Sequence, residues 1–324
     1  MSGDSPPPPA EQTALAGHEA AEAELLDAHR AGRLAHGWLI TGPEGVGKAT
    51  LAYRIARHLR AGDRAAADSL DMAADAPVFR QVAAGSEPGL VTLAPAEGRR
   101  QIGVDEVRAM TAFFGKSLPD GGRRVAIVDS ADALTVPAAN ALLKLLEEPP
   151  AGAVLILLAH RPAMVLATIR SRCRRLTLAP LEAGAMARAL AAAGVEAADP
   201  AALAALSGGS VGRALAIEAA GGRALYRELV ALLATLPRLD RARLTALAES
   251  VAGREGEARF AMMLELTETL LARAARTGAG HPPVTEASEG EAALLARLAP
   301  GPEAARCLAE AAAALPAEAR RARA

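Results

Sequence analysis

Aromatic side chains are scarce in this sequence, with one Trp, two Tyr and four Phe making 2% of 324 residues. A core must therefore be built from Leu, Val, Ile and Ala, which favours closely packed helices. Cysteine is scarcer still. Cys173 and Cys307 lie far apart and neither has a Cys-x-x-Cys partner, which excludes a disulfide framework and a Cys-rich zinc site. There is no excess of charge of one sign: 36 Lys and Arg stand against 37 Asp and Glu. A general nucleic-acid footprint is thereby excluded, and any DNA contact must be a local basic patch. No apolar run reaches 18 residues and no stretch has the pattern of a signal peptide, so the expectation is a soluble, cytoplasmic chain with no membrane partner.

What is present has an order. The length suffices for two or three domains. Residues 1–12, with Pro6 to Pro9 in a row, are expected to form a disordered tail. Leu15, Ala21, Leu25 and Leu26 give Ala14 to Arg30 an amphipathic helical pattern, and Gly32 ends it. Short apolar runs at Trp38–Ile40, Leu90–Leu93, Val125–Asp129, Val154–Leu158 and Leu176–Leu178 predict strands. Helical patterns fall between them, including one that starts at Ile102 and another from Ala138 to Glu148 that Pro149-Pro150 stops. Residues 62–84 are only weakly periodic, and Pro119 to Gly122 is a turn signal. Alternation of strand and helix from Trp38 to Leu178 implies a parallel sheet with helices on both faces. After Pro180 the chain is Ala- and Leu-rich and helical, with breaks near Pro237, Gly253, Gly278 to Pro283 and Pro300 to Pro302.

The most informative stretch is Gly42-x4-Gly47-Lys48, set between the first strand and a helix that carries Leu51, Ala52, Ile55 and Leu59. An ordinary glycine turn would satisfy the local pattern. A strand before and a helix after favour a phosphate-binding loop, in which Gly42, Gly45 and Gly47 let backbone N–H groups converge on phosphate oxygens and Lys48 adds a full charge. The next residue should carry a hydroxyl for Mg²⁺, yet it is Ala49. Thr50 follows, turned about 100° further round the helix, and is no simple replacement. Asp129, at the end of the third strand, suits an acid that orients Mg²⁺ or its water shell, or else caps the following turn. Its neighbour is Ser130, which cannot serve as a carboxylate base. The loop could thus bind ATP or ADP while being poorly equipped for metal-assisted hydrolysis.

These segments resemble a known family. His36-x3-Ile40-x-Gly42-x4-Gly47-Lys48, the Val125–Asp129 strand, the run Asn140 to Pro150 (N-A-L-L-K-L-L-E-E-P-P) and Ser171-Arg172-Cys173 occur in the order found in the AAA+ clamp-loader subunits of DNA replication. The likeness covers about residues 14 to 220, and beyond that it is only helical. Within the family, the ATP-hydrolysing gamma/tau branch keeps Ser or Thr after the P-loop lysine, an Asp-Glu pair, and a zinc-binding cysteine cluster. Ala49, Asp129-Ser130 and the missing cysteines make this chain more similar to the delta-prime branch, and zinc is not carried over.

The resemblance implies an AAA+ P-loop α/β domain at 13–179, a small helical lid at 180–221 and an all-α oligomerisation collar at 222–324. It implies a stator within a DNA polymerase III clamp loader: a holoenzyme subunit that is not the polymerase, with weak or absent ATPase activity of its own. Its partners would be gamma/tau and delta subunits and, through the complex, the sliding clamp and primer-template DNA. Arg172 would be an arginine finger for ATP held by a neighbouring gamma/tau subunit. Read without the family, it is a surface cation beside Arg170, Arg174 and Arg175, or part of a DNA-facing patch. Arg213 sits where a lid residue would sense nucleotide, or is a helix-start arginine behind the Ser210 cap. His160-Arg161 would supply a polar sensor, and Glu147 and Glu148 suit packing or an interface. A hydrolysing ATPase of the gamma/tau type is the alternative.

Overall fold

The computed structural model describes residues 7–66, 68–96, 98–116, 118, 122–252 and 256–323. These fall into two compact units, divided after Pro180. In chain order the first unit holds α1 (Glu19–Arg30), β1 (Gly37–Thr41), α2 (Lys48–Ala61), α3 (Pro77–Ala83), β2 (Leu90–Leu93), α4 (Val104–Phe114), β3 (Arg124–Asp129), α5 (Val136–Glu147), β4 (Ala153–Ala159), α6 (Ala167–Arg170) and β5 (Arg174–Thr177). Among the described residues its strands form one parallel sheet in the order β2-β3-β4-β1-β5.

The two-residue period of a strand explains the layers. Val154, Ile156 and Leu158 of β4 join Trp38 and Ile40 of β1 and Leu51 and Ile55 of α2 in one core. The residues between them, Leu155, Leu157 and Ala159, join Leu39, Met110 of α4 and Leu142 and Leu146 of α5 in the other. Both central strands are buried throughout, as a parallel sheet covered on both faces requires. Helix α5 begins two residues before the expected Ala138, because Thr135 caps it by accepting from the Ala138 N–H. Strand β5 also begins earlier than expected, at Arg174, which pairs with Trp38.

Three arginines of α2, at positions 54, 57 and 60, are 5% exposed or less. Arg54 pairs with Glu22 (2.6 Å) and Asp71 (2.7 Å) and donates to the Thr13 carbonyl. Arg60 pairs with Glu87 at 2.8 Å and donates to the Arg123 carbonyl. Arg57 lies over the Phe79 ring and donates to the carbonyls of Ala10 (3.0 Å) and Gln12 (2.7 Å). Those bonds order part of the expected tail: Pro9–Glu11 is a 3₁₀ turn, while residues 1–6 lie outside the described residues. Residues 119–121 of the expected turn, and Gly253, also lie outside them. Of the weakly periodic stretch, 62–64 is a 3₁₀ turn and α3 closes it.

The second unit contains α7 (Ala183–Ala192), α8 (Pro200–Ser207), α9 (Val211–Ala219), α10 (Gly222–Ala234), α11 (Arg241–Ser250), α12 (Glu257–Gly278), α13 (Glu291–Leu298) and α14 (Pro302–Arg323). One apolar cluster runs from Leu181 through Leu206, Ile217, Leu229 and Leu266 to Leu294. Inside it the Glu291 carboxylate, fully buried, accepts from Tyr226 Oη (2.5 Å), Arg273 Nε (2.6 Å) and Nη2 (3.0 Å), and the Ala287 N–H (2.6 Å). No single helix among the described residues is long and apolar enough to cross a membrane.

Candidate nucleotide loop and arginine site

The Gly42–Gly47 loop links the end of β1 to the start of α2. Its three glycines have φ of 151°, 71° and 109°, values open to glycine and strained for other residues. At Gly42 the demand is also spatial, since a Cβ would stand 2.5 Å from the Leu178 carbonyl oxygen. The expected Lys48 opens α2 and is 3% exposed. Its Nζ donates to the Gly42 (2.8 Å) and Pro43 (2.5 Å) carbonyls. Burial pushes its pKa down to about 8, against the pull of Asp129, Glu44 and Asp132. His18 Nε2 lies 2.8 Å from the Val46 carbonyl and so donates to it, while a Cβ at Gly47 would stand 2.7 Å from Leu15 Cδ1. The segment before α1 thus lies directly over the loop, a covering that no local motif announces.

Asp129 ends β3, and the N-cap residue of the 3₁₀ turn at 131–133 is Ser130, with no side-chain capping bond. Burial raises its pKa, and the nearby His160 and Lys48 oppose the shift. His160 Nε2 stands 4.0 Å from Asp129 Oδ1, and its backbone N–H donates to Asp132 Oδ1 at 3.1 Å. Burial would raise Asp132 as well, but hydrogen bonds, the first of them from the His160 N–H, hold it below the usual value. Beside these residues opens a cleft of about 1400 Å³, lined by Glu44, Arg99, Arg100, Ser130 and Arg161 among others.

A polyphosphate suits this loop: glycines in the required backbone states, a helix start, and a lysine whose carbonyl partners a phosphate could replace. The residue after the lysine, Ala49, offers no side-chain oxygen for magnesium, and Thr50 lies about 100° further round the helix. No group of three or more His, Cys, Asp or Glu among the described residues could hold a metal.

Arg172 stands elsewhere. It follows α6 and precedes β5, and its carbonyl lies beside Gly37, at the opposite end of β1 from the loop. Five strand residues at about 3.3 Å each separate Gly37 from Gly42, so Arg172 is roughly 16 Å from its own phosphate loop. Its Nη1 donates to the Thr168 carbonyl (3.0 Å) and Ser171 Oγ (3.5 Å), and Nη2 pairs with Glu147 at 2.8 Å. Two of the neighbouring arginines have other partners. Arg170 donates to the Pro162 carbonyl, and Arg174 pairs with Glu24 and lies over Trp38. Arg213 belongs to the second unit, where Ser210 caps its helix and its guanidinium holds Glu265 (2.5 Å) and Thr269 (2.7 Å).

The strand order, the glycine loop after β1 and the acid ending β3 define an AAA+-type P-loop module. Comparison with known proteins narrows that class. The family described as DNA polymerase III, delta subunit, matches residues 17–182, half of the chain, and the chain belongs to that family of clamp-loader AAA+ proteins. DNA polymerase III subunit delta' of Pseudomonas aeruginosa is 40% identical over 181 residues, covering 54% of this chain and 53% of that protein. The Escherichia coli K12 protein of the same name is 39% identical over 157 residues, 48% and 46% of the two chains. A Mycobacterium tuberculosis DNA polymerase III subunit gamma/tau is 35% identical over 167 residues, 51% of this chain and 28% of that one. The match thus spans about half the length of the delta' relatives. Among solved structures, the RuvB Holliday junction branch migration motor of Thermotoga maritima gives a TM-score of 0.45 at 16% identity over 82% of this chain and 78% of that one. The delta-prime likeness seen in the motifs agrees with these relatives.

Proposed function

We propose that the chain is the stator of a DNA polymerase III clamp loader, and that Arg172 serves ATP bound by a neighbouring gamma/tau-type subunit. The observation that carries this reading is the position of Arg172. A guanidinium at the far end of β1 cannot reach its own loop, while its partly exposed setting leaves it able to face a second subunit. A planar, permanently charged group there stabilises charge developing on a transferred phosphoryl group.

The chain's own loop supports the complementary half. Without a hydroxyl at Ala49 and a carboxylate at Ser130, with Lys48 engaged on Gly42 and Pro43, it would hold ATP or ADP at most and turn it over poorly. A lid over 180–221 and a collar over 222–324 complete the proposal, with Arg213, which holds Glu265 and Thr269, as the lid residue that would sense nucleotide. The partners are gamma/tau and delta subunits, with the sliding clamp and primer-template DNA reached through the complex, and the setting is the cytoplasm.

The test is DNA- and clamp-stimulated ATP hydrolysis by a loader reconstituted with wild type or Arg172→Ala, assembly being verified by size. Turnover should fall by one or more orders of magnitude in an intact complex. Unchanged turnover would leave Arg172 a surface or DNA-facing cation.

A further inference from the structure

The geometry points to Glu147 as the positioning residue for Arg172, seated by His36. The inference rests on the trans role of Arg172. The loop that carries Arg172 is short, and an arginine on such a loop has several rotatable bonds and about 2 kcal/mol of rotamer entropy to lose before it can grip a phosphate. Here three groups limit that freedom. The Thr168 carbonyl and Ser171 Oγ take two of the five N–H donors, and the Glu147 carboxylate lies 2.8 Å from Nη2. Nε–H has no acceptor among the described residues and remains open to an incoming anion.

Glu147 is itself fixed from outside its helix. It is the last residue of α5, where backbone carbonyls lack intrahelical partners. His36, just before β1, supplies one: its Nε2 lies 3.0 Å from the Leu146 carbonyl and must carry the proton there. The following strand start leaves no slack, since a Cβ at Gly37 would stand 2.8 Å from Leu146 Cδ2 and 3.4 Å from Cys173 Sγ. His36, Leu146, Glu147 and Arg172 therefore form one connected run from the beginning of β1 to the guanidinium. That explains two features of the sequence that the phosphate loop leaves unused: a histidine four residues before Ile40, and a carboxylate at the end of α5.

The Glu147–Arg172 pair is partly solvated, 49% and 37% exposed, so its effect is modest. Partly exposed pairs of this kind contribute about 0.2–1 kcal/mol, or roughly 1.4- to fivefold in a rate that depends on holding the group in place. The effect should appear in kcat and not in KM for ATP, because the guanidinium meets charge that develops only in the transition state.

The experiment is a double-mutant cycle in the reconstituted, size-verified loader: wild type, Glu147→Ala, Arg172→Ala and both together, with kcat and KM for ATP measured for each. Glu147→Ala is expected to lower kcat about 1.4- to fivefold with KM unchanged, and to cost nothing further once Arg172 is Ala. A loss that persists in the Arg172→Ala background, an unchanged or raised kcat, or a change in KM alone overturns the positioning role. If Arg172→Ala is inactive while Glu147→Ala matches wild type, only this inference fails. If Arg172→Ala has no effect, the trans reading fails with it.

Discussion

Replacing Glu291 by Ala should be among the most damaging single changes in the helical unit. The carboxylate is fully buried and receives four hydrogen bonds, from Tyr226, twice from Arg273, and from the Ala287 N–H. Truncation removes the acceptor and leaves Arg273, 4% exposed, with its charge uncompensated by any carboxylate. Breaking a buried pair in this way costs about 3–5 kcal/mol, a large share of the roughly 5–15 kcal/mol that stabilises a domain. For a unit of this size the corresponding fall in Tm is roughly 10 °C. Removing both charges is a different perturbation. Glu291→Leu with Arg273→Leu takes away the ionic desolvation cost along with the attraction, and should be less unstable than Glu291→Ala, the remaining loss being the acceptor for Tyr226 Oη and the Ala287 N–H. Trp38, the single tryptophan, lies in the sheet unit, so far-UV circular dichroism during urea and thermal unfolding is the suitable assay. Burial would raise the Glu291 pKa, but the bonds from Arg273 and Tyr226 hold it below its ordinary 4.5. Its contribution is therefore complete above about pH 4.5 and is lost as pH falls through the lower, folded-state value. A loss below about 1 kcal/mol for Glu291→Ala, or a double variant as unstable as the single one, would refute the assignment of this network as a closed, mutually satisfied set.

Two further expectations concern the loop. With Lys48 at about 8 in the free chain, a bound phosphate would favour the charged form, so nucleotide binding near pH 8.5 should take up protons and weaken as pH rises. Calorimetry in two buffers of different ionisation enthalpy measures that uptake, and none detected despite binding would place the phosphate away from Lys48. In the free chain the same depressed value means that the penalty on the charged lysine is present below about pH 8 and is relieved between there and 10.5. Ala49→Ser alone should leave magnesium-dependent turnover by the isolated chain at background, because Ser130 still occupies the place of a carboxylate base. Turnover that appears with Ala49→Ser and vanishes with Lys48→Met would show that the missing hydroxyl was the sole defect.

The parts of this protein legible in its sequence are those governed by local periodicity. Trp38–Ile40 and Val154–Leu158 were readable as buried strands because their residues face two covered layers in alternation. Gly42, Gly45 and Gly47 were readable because few other contexts place glycines between a strand and a helix at that spacing. Long-range pairing left no such mark. Arg54, Arg57 and Arg60 have the look of a solvated cationic face, yet each is buried against carbonyls or carboxylates of other segments. Arg172 could be singled out by its triplet, but its partner Glu147 lies 25 positions earlier in a helix end that suited packing equally well. Its distance from the loop follows only from the register of β5 against β1.

The buried arginines of α2 make entry to the phosphate loop a matter for distant parts of the module. Leu15 lies over Gly47, and two residues earlier the Thr13 carbonyl is clamped by Arg54, which also grips Glu22 on α1 and Asp71 beyond α2. Arg57 holds Ala10 and Gln12 in the same way. A ligand that needs the space of Leu15 must draw on this whole lattice of anchored carbonyls. Opening the loop therefore carries the free-energy cost of loosening the amino-terminal segment from α2, and any surface that grips that segment acquires leverage over the loop's occupancy.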